Sequence, residues 1–476
     1  MEQAAVRSRP PETSDGLPIP RRYWSVLTIW LAMAMSVLDG AIANVALPTI
    51  ARELHASPAS SIWIVNAYQL AITVCLLPLA ALGDKLGYRR VYMAGLAVFT
   101  VGSLGCALSH TLGELTAARV LQGLGAAGVM SINSALVRFT YPHRLLGRGI
   151  GLNAVVISIS AAIGPTVASA ILAQASWEWL FAINVPIGVL AIAIAIPALP
   201  RTQGSGKSFD WPAAILNALT FGFLITGVES LAREGLKVGL VKLAIGAAAG
   251  ALLARRELRR AVPLVPFDLL RIPIFGLSIA TSIVSFAAQM LAYVALPFYF
   301  QTVMGHGAVA TGLLMTPWPL AVAVAAPLAG RLADRYPAGA LGGAGLSLFA
   351  VGLALLAMIR PGASDLEICW RMAVCGLGFG FFQSPNNRAM VAAAPLHRSG
   401  AAGGMLATAR LLGQTAGALA TAVFFHLAGP RATTLALITA CGVAAVAAAV
   451  SLLRLRIGRP EPAPVKQEIG QAASGP

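Results

Sequence analysis

The sequence predicts an all-α integral membrane protein with fourteen spanning helices, arranged as two copies of a six-helix unit with two helices inserted between them. Composition is the first indication. Of the 476 residues, 57% are hydrophobic and only 11% are charged, whereas about a quarter of a soluble protein is charged. The second indication is a series of apolar runs, each close to the roughly 20 residues that cross a bilayer. The third is a set of short motifs that recur in the second half of the chain.

The apolar runs follow one another with short polar connections between them, and each predicts one membrane helix. The eighth run is the weakest. The predicted spans are residues 24–47, 60–83, 89–109, 114–137, 148–173, 177–199, 211–232, 237–254, 275–302, 308–330, 340–359, 366–391, 398–425 and 432–455.

The spans divide the chain into two bundles and three connecting or terminal parts. The tails are polar, and such compositions offer too little apolar surface to fold. The predicted parts are a disordered cytoplasmic N-terminus (1–20), an N-terminal six-helix bundle (21–200), two inserted helices with flanking cytoplasmic linkers (201–274), a C-terminal six-helix bundle (275–457) and a disordered cytoplasmic tail (458–476).

Charge placement predicts the orientation of the helices. The net charge is +16, but the basic residues fall in small groups between apolar runs, without the basic stripe of a nucleic-acid-binding protein. With the N-terminus inside, most of the 34 Lys and Arg residues lie in cytoplasmic connections, as the positive-inside rule requires. We therefore expect a multi-pass protein of an inner (plasma) membrane, with the lipid bilayer as its surroundings, both termini cytoplasmic and no nucleic-acid partner.

An internal repeat supports the division into two bundles. Three motifs occur in the same order in both halves, at offsets of about 250 residues, which indicates a duplicated unit. A parallel duplication of six helices is a transporter architecture whose substrate site lies near the bilayer midplane between the halves. The matching pairs are Val45–Pro48 with Val294–Pro297, Asp84 with Asp334, and Gly123–Asn133 with Gly376–Asn386.

Charged residues inside predicted spans are the first functional candidates. Asp39 lies in the first helix, and Arg119 and Arg410 lie in the fourth and thirteenth. Such residues are costly in a bilayer and usually face a cavity or a partner. The repeat partner of Asp39 falls at Ala288 or Gln289, so the fold itself does not require the acid. Asp39 is predicted to carry a proton, with a static ion pair to Arg119 as the alternative.

Polar side chains in other spans are candidates for a substrate cavity. Neutral polar groups at membrane depth either line a cavity or hydrogen-bond neighbouring helices together, and the sequence does not separate these alternatives. The candidates are Asn44, Gln69, Asn133, Gln289, Gln383, Asn386 and Arg410.

Two further motifs predict moving parts. The loop after the second helix is a candidate cytoplasmic gate, because Asp84 with Lys85, Arg89 and Arg90 is expected to form a charge cluster that bridges neighbouring helix ends. A weaker copy of this loop follows the tenth helix, and ordinary positive-inside charge with a turn is the alternative. Gly164 and Pro165 kink the fifth helix, either as a simple kink or as a sealed hinge between the halves. The gate candidates are Asp84, Lys85, Gly87, Arg89, Asp334 and Arg335.

Enzymatic, cofactor and metal sites are not expected. The stretch Gly123–Gly128 reads GLGAAG, but it lies inside an apolar run, and no acid occurs between Glu114 and Glu178. A dinucleotide site needs a preceding strand and an acid about 20 residues on, so this motif predicts close helix packing instead. The five cysteines show no metal-ligand spacing, and the six histidines fall in loops or at span ends.

Residues 22–455 resemble the fourteen-helix drug:proton antiporters of the major facilitator superfamily. The first helix ends in LDGAIANVALP, and the fifth contains the Gly164-Pro165 pair. Tyr88 stands where the family's loop signature has a basic residue, and Glu178 stands where arginine is common. The fourth-helix signature RxxQGxGaA is present as Arg119, Gln122, Gly123, Gly125 and Ala127.

This resemblance implies a proton-coupled exporter of amphipathic drugs or toxic compounds that works by alternating access. It assigns Asp39 and Arg119 to proton coupling, Asp84 to the gate and Gly164 to the antiporter hinge. A dedicated exporter of one metabolite or self-made antibiotic, and a non-transporting receptor or scaffold, remain alternatives. A monomer is expected, with a periplasmic adaptor if the protein belongs to a tripartite pump. The spans of the C-terminal half lack the additional acids of many multidrug members, which leaves the charge of the substrate open.

Overall fold

The structure is a computed structural model that describes residues 16–202, 204, 209–260, 267–333, 335–394 and 399–456. Within these residues all regular structure is helical. Most of the two predicted tails, and Asp334 of the predicted gate, lie outside the described residues.

The N-terminal half contains six long helices, as predicted. Two of them are interrupted for one residue, α2 at Ile62 and α6 at Ile183. The helices are α1 (Arg21–Glu53), α2 (Pro58–Leu86), α3 (Tyr88–Ala107), α4 (Leu112–Thr140), α5 (Leu146–Leu172) and α6 (Trp179–Ala198).

The inserted pair and the C-terminal half supply eight more helices. The weak eighth span is present as a full helix, and α10 is interrupted at Thr316. A short π-helical segment (Tyr299–Val303) follows α9. The helices are α7 (Trp211–Arg233), α8 (Leu236–Glu257), α9 (Pro273–Phe298), α10 (Ala308–Leu332), α11 (Ala338–Ala357), α12 (Asp365–Ala393), α13 (Ser399–Ala428) and α14 (Ala432–Leu453).

Thirteen of the described helices are long and apolar enough to cross a membrane. The other predicted span forms α12, a continuous helix of 29 residues. Its sequence includes the polar residues Gln383, Asn386 and Asn387, which lower its hydropathy. Since α12 packs against α10 and α11 within its half, much of its surface is shielded from lipid.

The first helix is longer than its apolar run. It begins at Arg21 and continues through Pro48 to Glu53, whereas the predicted span ended at residue 47. A proline within the last turns removes only one intrahelical hydrogen bond, which the helix tolerates here. At 1.5 Å per residue, Asp39 therefore lies about 27 Å from the start and about 21 Å from the end of α1. Because the helix continues beyond the predicted span, Asp39 lies near the middle of α1.

The GLGAAG stretch serves helix packing, which confirms the prediction. A Cβ atom added to Gly95 of α3 would lie 2.9 Å from the Cα atom of Gly128 in α4, and one added to Gly123 would lie 2.5 Å from the carbonyl oxygen of Tyr68 in α2. Real Cβ atoms do not approach that closely. The glycines thus let α4 contact α2 and α3 backbone to backbone, which fixes the depth at which α4 presents its polar residues.

The two halves meet along seams in which α2 packs on α13 and α5 packs on α10. We call the side where α1 begins and α14 ends the terminal side, and the opposite side the far side. The hydroxyls of Thr166 and Thr316 lie 2.9 Å apart across the α5–α10 seam. Gln301, beyond α9, accepts a bond from Thr49 at 3.2 Å and donates one to the carbonyl of Val45 at 3.4 Å. These bonds hold the halves together toward the far side.

The inserted helices lie against the α2–α13 seam. α7 contacts both α2 and α13, and α8 packs on α7. The side-chain amide of Asn217 donates to the carbonyl of Val74 at 2.8 Å, and the indole of Trp63 donates to Glu229 at 2.6 Å. The inserted pair therefore covers one seam from outside and leaves the six-helix halves themselves intact.

Candidate functional site: a buried ion pair in the N-terminal half

Asp39 and Arg119, which the sequence predicts to act together, form an ion pair inside the N-terminal bundle. Arg119 Nη1 donates to Asp39 Oδ2. The exposed fraction is 2% for Asp39 and 0% for Arg119. Taking both charges out of water is expensive, and the pair is stable only when the remaining lone pairs and protons are also hydrogen-bonded. The surrounding residues must therefore supply those bonds.

Two further side chains donate to the carboxylate, and a third bonds to one of them. Gln122 Nε2 donates to Asp39 Oδ1 at 2.8 Å, and Asn184 Nδ2 donates to the same oxygen at 2.9 Å. Gln122 Oε1 accepts from Arg119 Nη1, and its Nε2 also lies 2.8 Å from Ser103 Oγ. The five residues Asp39, Ser103, Arg119, Gln122 and Asn184 form what we call the polar cluster, drawn from α1, α3, α4 and α6. Bonds to charged groups contribute more than neutral ones, so the cluster joins four helices strongly.

The guanidinium has a second set of contacts that fix its orientation. Arg119 Nε donates to the carbonyl of Ile64 at 2.9 Å. Its central carbon lies 4.1 Å from the centre of the Tyr68 ring, a cation–π distance. The Tyr68 hydroxyl donates to the carbonyl of Ser36 at 2.8 Å. Arg119 Nη2 is buried and has no hydrogen-bond partner among the described residues. Arg119 would therefore stay in place if Asp39 lost its charge.

Glu114 does not compete for Arg119. Its carboxylate accepts from the backbone N–H groups of His110 at 2.8 Å and Thr111 at 3.2 Å, and the Thr111 hydroxyl accepts from the N–H of Glu114. This is a capping box, which satisfies free donors at the start of α4. The arginine therefore turns inward to Asp39 instead of reaching toward the surface.

Gln122, Ser103, Asn184 and Tyr68 were not among the predicted site residues. Gln122 carries a signal in the sequence, because it follows Arg119 by three positions and so lies on the same face of α4. Ser103 and Asn184 come from other helices, and only the packing of α3 and α6 brings them to Asp39. Nothing in the linear sequence marks them.

The other cavity candidates fall into different environments. Asn44 donates to the carbonyl of Gly40 at 3.0 Å, and its Oδ1 is buried without a partner among the described residues. The side-chain oxygens of Gln69 and Asn133 are likewise buried without a described partner. Gln289 and Gln383 are half-buried. The first three side chains thus have a buried oxygen without a described hydrogen-bond partner, and the last two are only partly enclosed by the protein.

Asn386 holds helices together. Its Oδ1 accepts from Arg454 at 2.7 Å, and its Nδ2 donates to Ser282 Oγ at 2.8 Å. Arg454 also donates to Ser278 at 2.9 Å and to Ser451 at 2.8 Å. This group connects α9 and α12 with the end of α14 on the terminal side. Of the two roles open for the polar residues of the C-terminal half, Asn386 takes the structural one.

The predicted gate makes its contacts within the N-terminal half. The hydroxyl of Tyr88, one turn along the chain, donates to Asp84 Oδ1. No ion pair joins Asp84 to a cation in the part of the chain that is described, so the expected charge cluster of Asp84 with Lys85 and Arg89 does not form. The physical reason is that Arg89 points away: its guanidinium donates to the carbonyl of Ile196 at the end of α6.

The turn of the gate is anchored to the segment after α6. Gly87 has φ +94°, which favours glycine, and a Cβ atom there would collide with the carbonyl of Thr202. The N–H of Arg89 donates to Thr202 Oγ1 at 3.2 Å. In the second copy, Asp334 lies outside the described residues, and Arg335 is exposed. The gating role of these residues stays a prediction.

Gly164 and Pro165 lie where α5 contacts both halves. A Cβ atom at Gly164 would collide with the Cβ of Ala41 in α1, and one at Gly312 of α10 would lie 2.6 Å from the carbonyl oxygen of Pro165. Pro165 has no N–H and so removes one intrahelical hydrogen bond, and one turn later Ser169 Oγ donates to the carbonyl of Pro165 at 2.9 Å. This position suits a hinge or seal between the halves.

Two six-helix halves that meet along seams are the architecture of a membrane transporter. The family model of the Major Facilitator Superfamily matches residues 29–418 and 312–475, and the chain belongs to that family. It is 53% identical over 449 residues to the "Uncharacterized transporter YebQ" of Escherichia coli, covering 94% of this chain and 98% of that one.

Other relatives have names that specify a transported compound. The chain is 31% identical over 408 residues to the "Riboflavin transporter RibZ" of Clostridioides difficile, covering 85% and 89% of the two chains. It is 31% identical over 446 residues to the "Tetracenomycin C resistance and export protein" of Streptomyces glaucescens, covering 90% and 79%. A crystal structure of an inward-facing bacterial homologue of the lysosomal transporter Spinster matches with TM-score 0.67 at 15% identity, covering 94% and 100%, which shows the shared fold.

Proposed function

We propose that this transporter exports an amphipathic small molecule in exchange for protons, with Asp39 as the proton carrier and Arg119 as its partner. The observation that carries the proposal is the polar cluster itself. Its acid is buried in the middle of α1, and the equivalent place in the other half is occupied by Ala288 or Gln289. Because the second half folds without an acid at this place, the acid in the first half is better explained by a chemical role than by a structural one.

The geometry suggests how protonation changes the cluster. A proton on Asp39 Oδ2 removes the ion pair with Arg119 Nη1, while Arg119 keeps its bonds to the carbonyl of Ile64 and to Gln122. Asp39 Oδ1 keeps the bonds from Gln122 and Asn184. Protonation therefore leaves the helices joined but leaves Arg119 without its counter-charge. That imbalance favours a conformation in which Arg119 meets water or an anion, and this links proton entry to alternating access.

Relatives support export over uptake. The tetracenomycin relative is named for resistance and export, and in this proposal protons enter from the far side while the compound leaves there. The termini are then cytoplasmic, and the chain works as a monomer, with a periplasmic adaptor only if it is part of a tripartite pump.

A susceptibility panel with the gene deleted and overexpressed would identify an exported compound. Proton coupling is then measured with that compound in proteoliposomes, as accumulation driven by a pH gradient. We expect Asp39→Asn to abolish accumulation against a gradient while downhill exchange of the compound continues, because the carrier can still alternate. Asp365→Asn, at an exposed carboxylate outside the polar cluster, is the control that should keep coupling. Normal gradient-driven accumulation by Asp39→Asn would disprove the assignment.

A second candidate function is export of one dedicated metabolite. The likeness to the riboflavin transporter favours it, since that relative is named for a single compound. The same susceptibility and vesicle assays separate the two: structurally unrelated compounds should all be exported in the first case and only one in the second.

A further inference from the structure

Arg410 stands near the middle of α13, and no carboxylate of the described residues forms an ion pair with it. It lies about 17 Å from the start of the helix and about 27 Å from its end. Its Nε is buried and has no partner among the described residues. The whole residue is only half-buried, so part of its side chain remains accessible. A guanidinium at this depth is costly and normally faces a partner or a water-filled cavity.

The neighbours of α13 show which side of the helix Arg410 occupies. Gly413 faces α9: a Cβ there would lie 2.8 Å from the Cβ of Phe286. On the other side, Ala407 and Leu411 belong to a cluster with Met35 and other apolar residues of the N-terminal half. Positions 407 and 413 flank position 410 at three residues on either side, about 60° each way around the helix. Arg410 therefore points between α9 and the N-terminal half, at the junction of the two halves.

No carboxylate among the described residues pairs with this charge. Asp39 is occupied by Arg119, Gln122 and Asn184. In the C-terminal half, Asp365 and Glu367 lie in the first turn of α12, on the far side, and the sequence places Asp334 in the connection after α10. A lipid headgroup is excluded by depth, since headgroups lie at the bilayer surface.

We infer that the transported compound carries an acidic group, such as a carboxylate, sulfonate or phosphate, which binds Arg410 at the junction of the halves. This inference rests on the proposed export function and specifies its substrate class. The planar guanidinium matches two oxygens of such a group with two parallel hydrogen bonds. Gln414, half-buried one turn along α13, offers a further donor on the same face. An acid bound there supplies the charge that the protein lacks.

Binding to the purified, full-length protein in detergent micelles tests the inference. The probes are fluorescein and other aromatic acids, each with its methyl ester, which differs only in the charge. Binding is followed by fluorescence polarisation or by competition. We expect wild-type protein to bind the best acids at least roughly tenfold more tightly than their esters, because bonds to a charged group are among the strong ones.

Two variants of Arg410 and one control make the test specific. Arg410→Gln should lower acid affinity to the level of the esters without changing ester affinity, and Arg410→Lys should retain part of the preference because it keeps the charge. Arg360→Gln, at an exposed position, should match wild type. Gel filtration verifies folding of each variant.

Either of two results would overturn the inference: acids that bind wild-type protein no better than their esters, or acid affinity unchanged in Arg410→Gln. Micelles carry no proton gradient, so this assay does not depend on coupling. If the coupling test with Asp39→Asn failed, the inference of an acidic substrate would still stand. If the acids bound no better than their esters, the proposal of proton coupling would still stand.

Discussion

The polar cluster predicts a strong energetic coupling between Asp39 and Arg119. Either charge alone, left in a site with 0–2% exposure, becomes an uncompensated buried charge. Breaking a buried pair in this way costs about 3–5 kcal/mol. Asp39→Asn adds a second penalty, because the carboxylate accepts from three side chains and an amide turns one of its acceptor positions into a donor.

The double variant should be much less destabilised than the sum of the two single variants. In Asp39→Asn/Arg119→Gln no unpaired charge is buried, so the double variant should cost no more than one single variant. If each single variant loses about 3–5 kcal/mol of unfolding free energy and the double variant loses about as much as one of them, the coupling energy is about 3 kcal/mol or more. Gln122 and Asn184 can still bond to the new amide, which limits the cost of the double variant.

The assay is reversible unfolding of the three variants and the wild type in mixed micelles, followed by helical circular dichroism. The pair Asp84→Asn and Arg335→Gln, at exposed positions of the two gate loops, provides a matched cycle in which the costs should add. Additive costs for Asp39 and Arg119 would refute the reasoning, because they would mean that each charge is stabilised by something other than its partner.

Two further predictions concern the packing of the bundle and the movement of its halves. Gly95→Leu should abolish folded protein, since its side chain would enter the backbone of α4, while Gly113→Leu, with open space around it, should be tolerated; equal yields of monodisperse protein for both would contradict the packing described. A disulfide between Thr166→Cys and Thr316→Cys, whose hydroxyls are 2.9 Å apart in the native chain, should stop transport until it is reduced. Undiminished transport by the cross-linked protein, with the single-cysteine variants as controls, would show that this seam does not open.

The membrane helices could be predicted because the bilayer imposes a local rule. A span needs a certain length of apolar residues whatever its neighbours are, so even the weak eighth run appears as Leu236–Glu257. The same rule misjudged the end of α1, since hydropathy stops at Pro48 while the helical hydrogen bonds continue to Glu53. It also made α12 harder to recognise, because that helix is shielded by its neighbours and can carry amides that a lipid-facing helix cannot.

Asp39 and Arg119 were predictable as a pair because each is costly alone in a membrane helix and the two bundles contain few other charged residues at membrane depth. Gln122 could have been added from its spacing on α4. The gate shows the opposite case. Its charges suggested an ion-pair cluster, but Tyr88 occupies Asp84 and the end of α6 occupies Arg89, and neither preference is visible without the fold.

The sequence by itself determined that this protein spans a membrane with two related six-helix halves, and that one acid and two arginines lie where only a partner or a cavity can hold them. These conclusions follow from solvation, which acts on each residue according to its depth. Only the tertiary structure decided that Ser103 and Asn184 complete the site, that Asn386 binds Arg454, and that no described carboxylate pairs with Arg410. Those outcomes depend on which helix faces which, and helix packing is set by contacts between residues far apart in the chain.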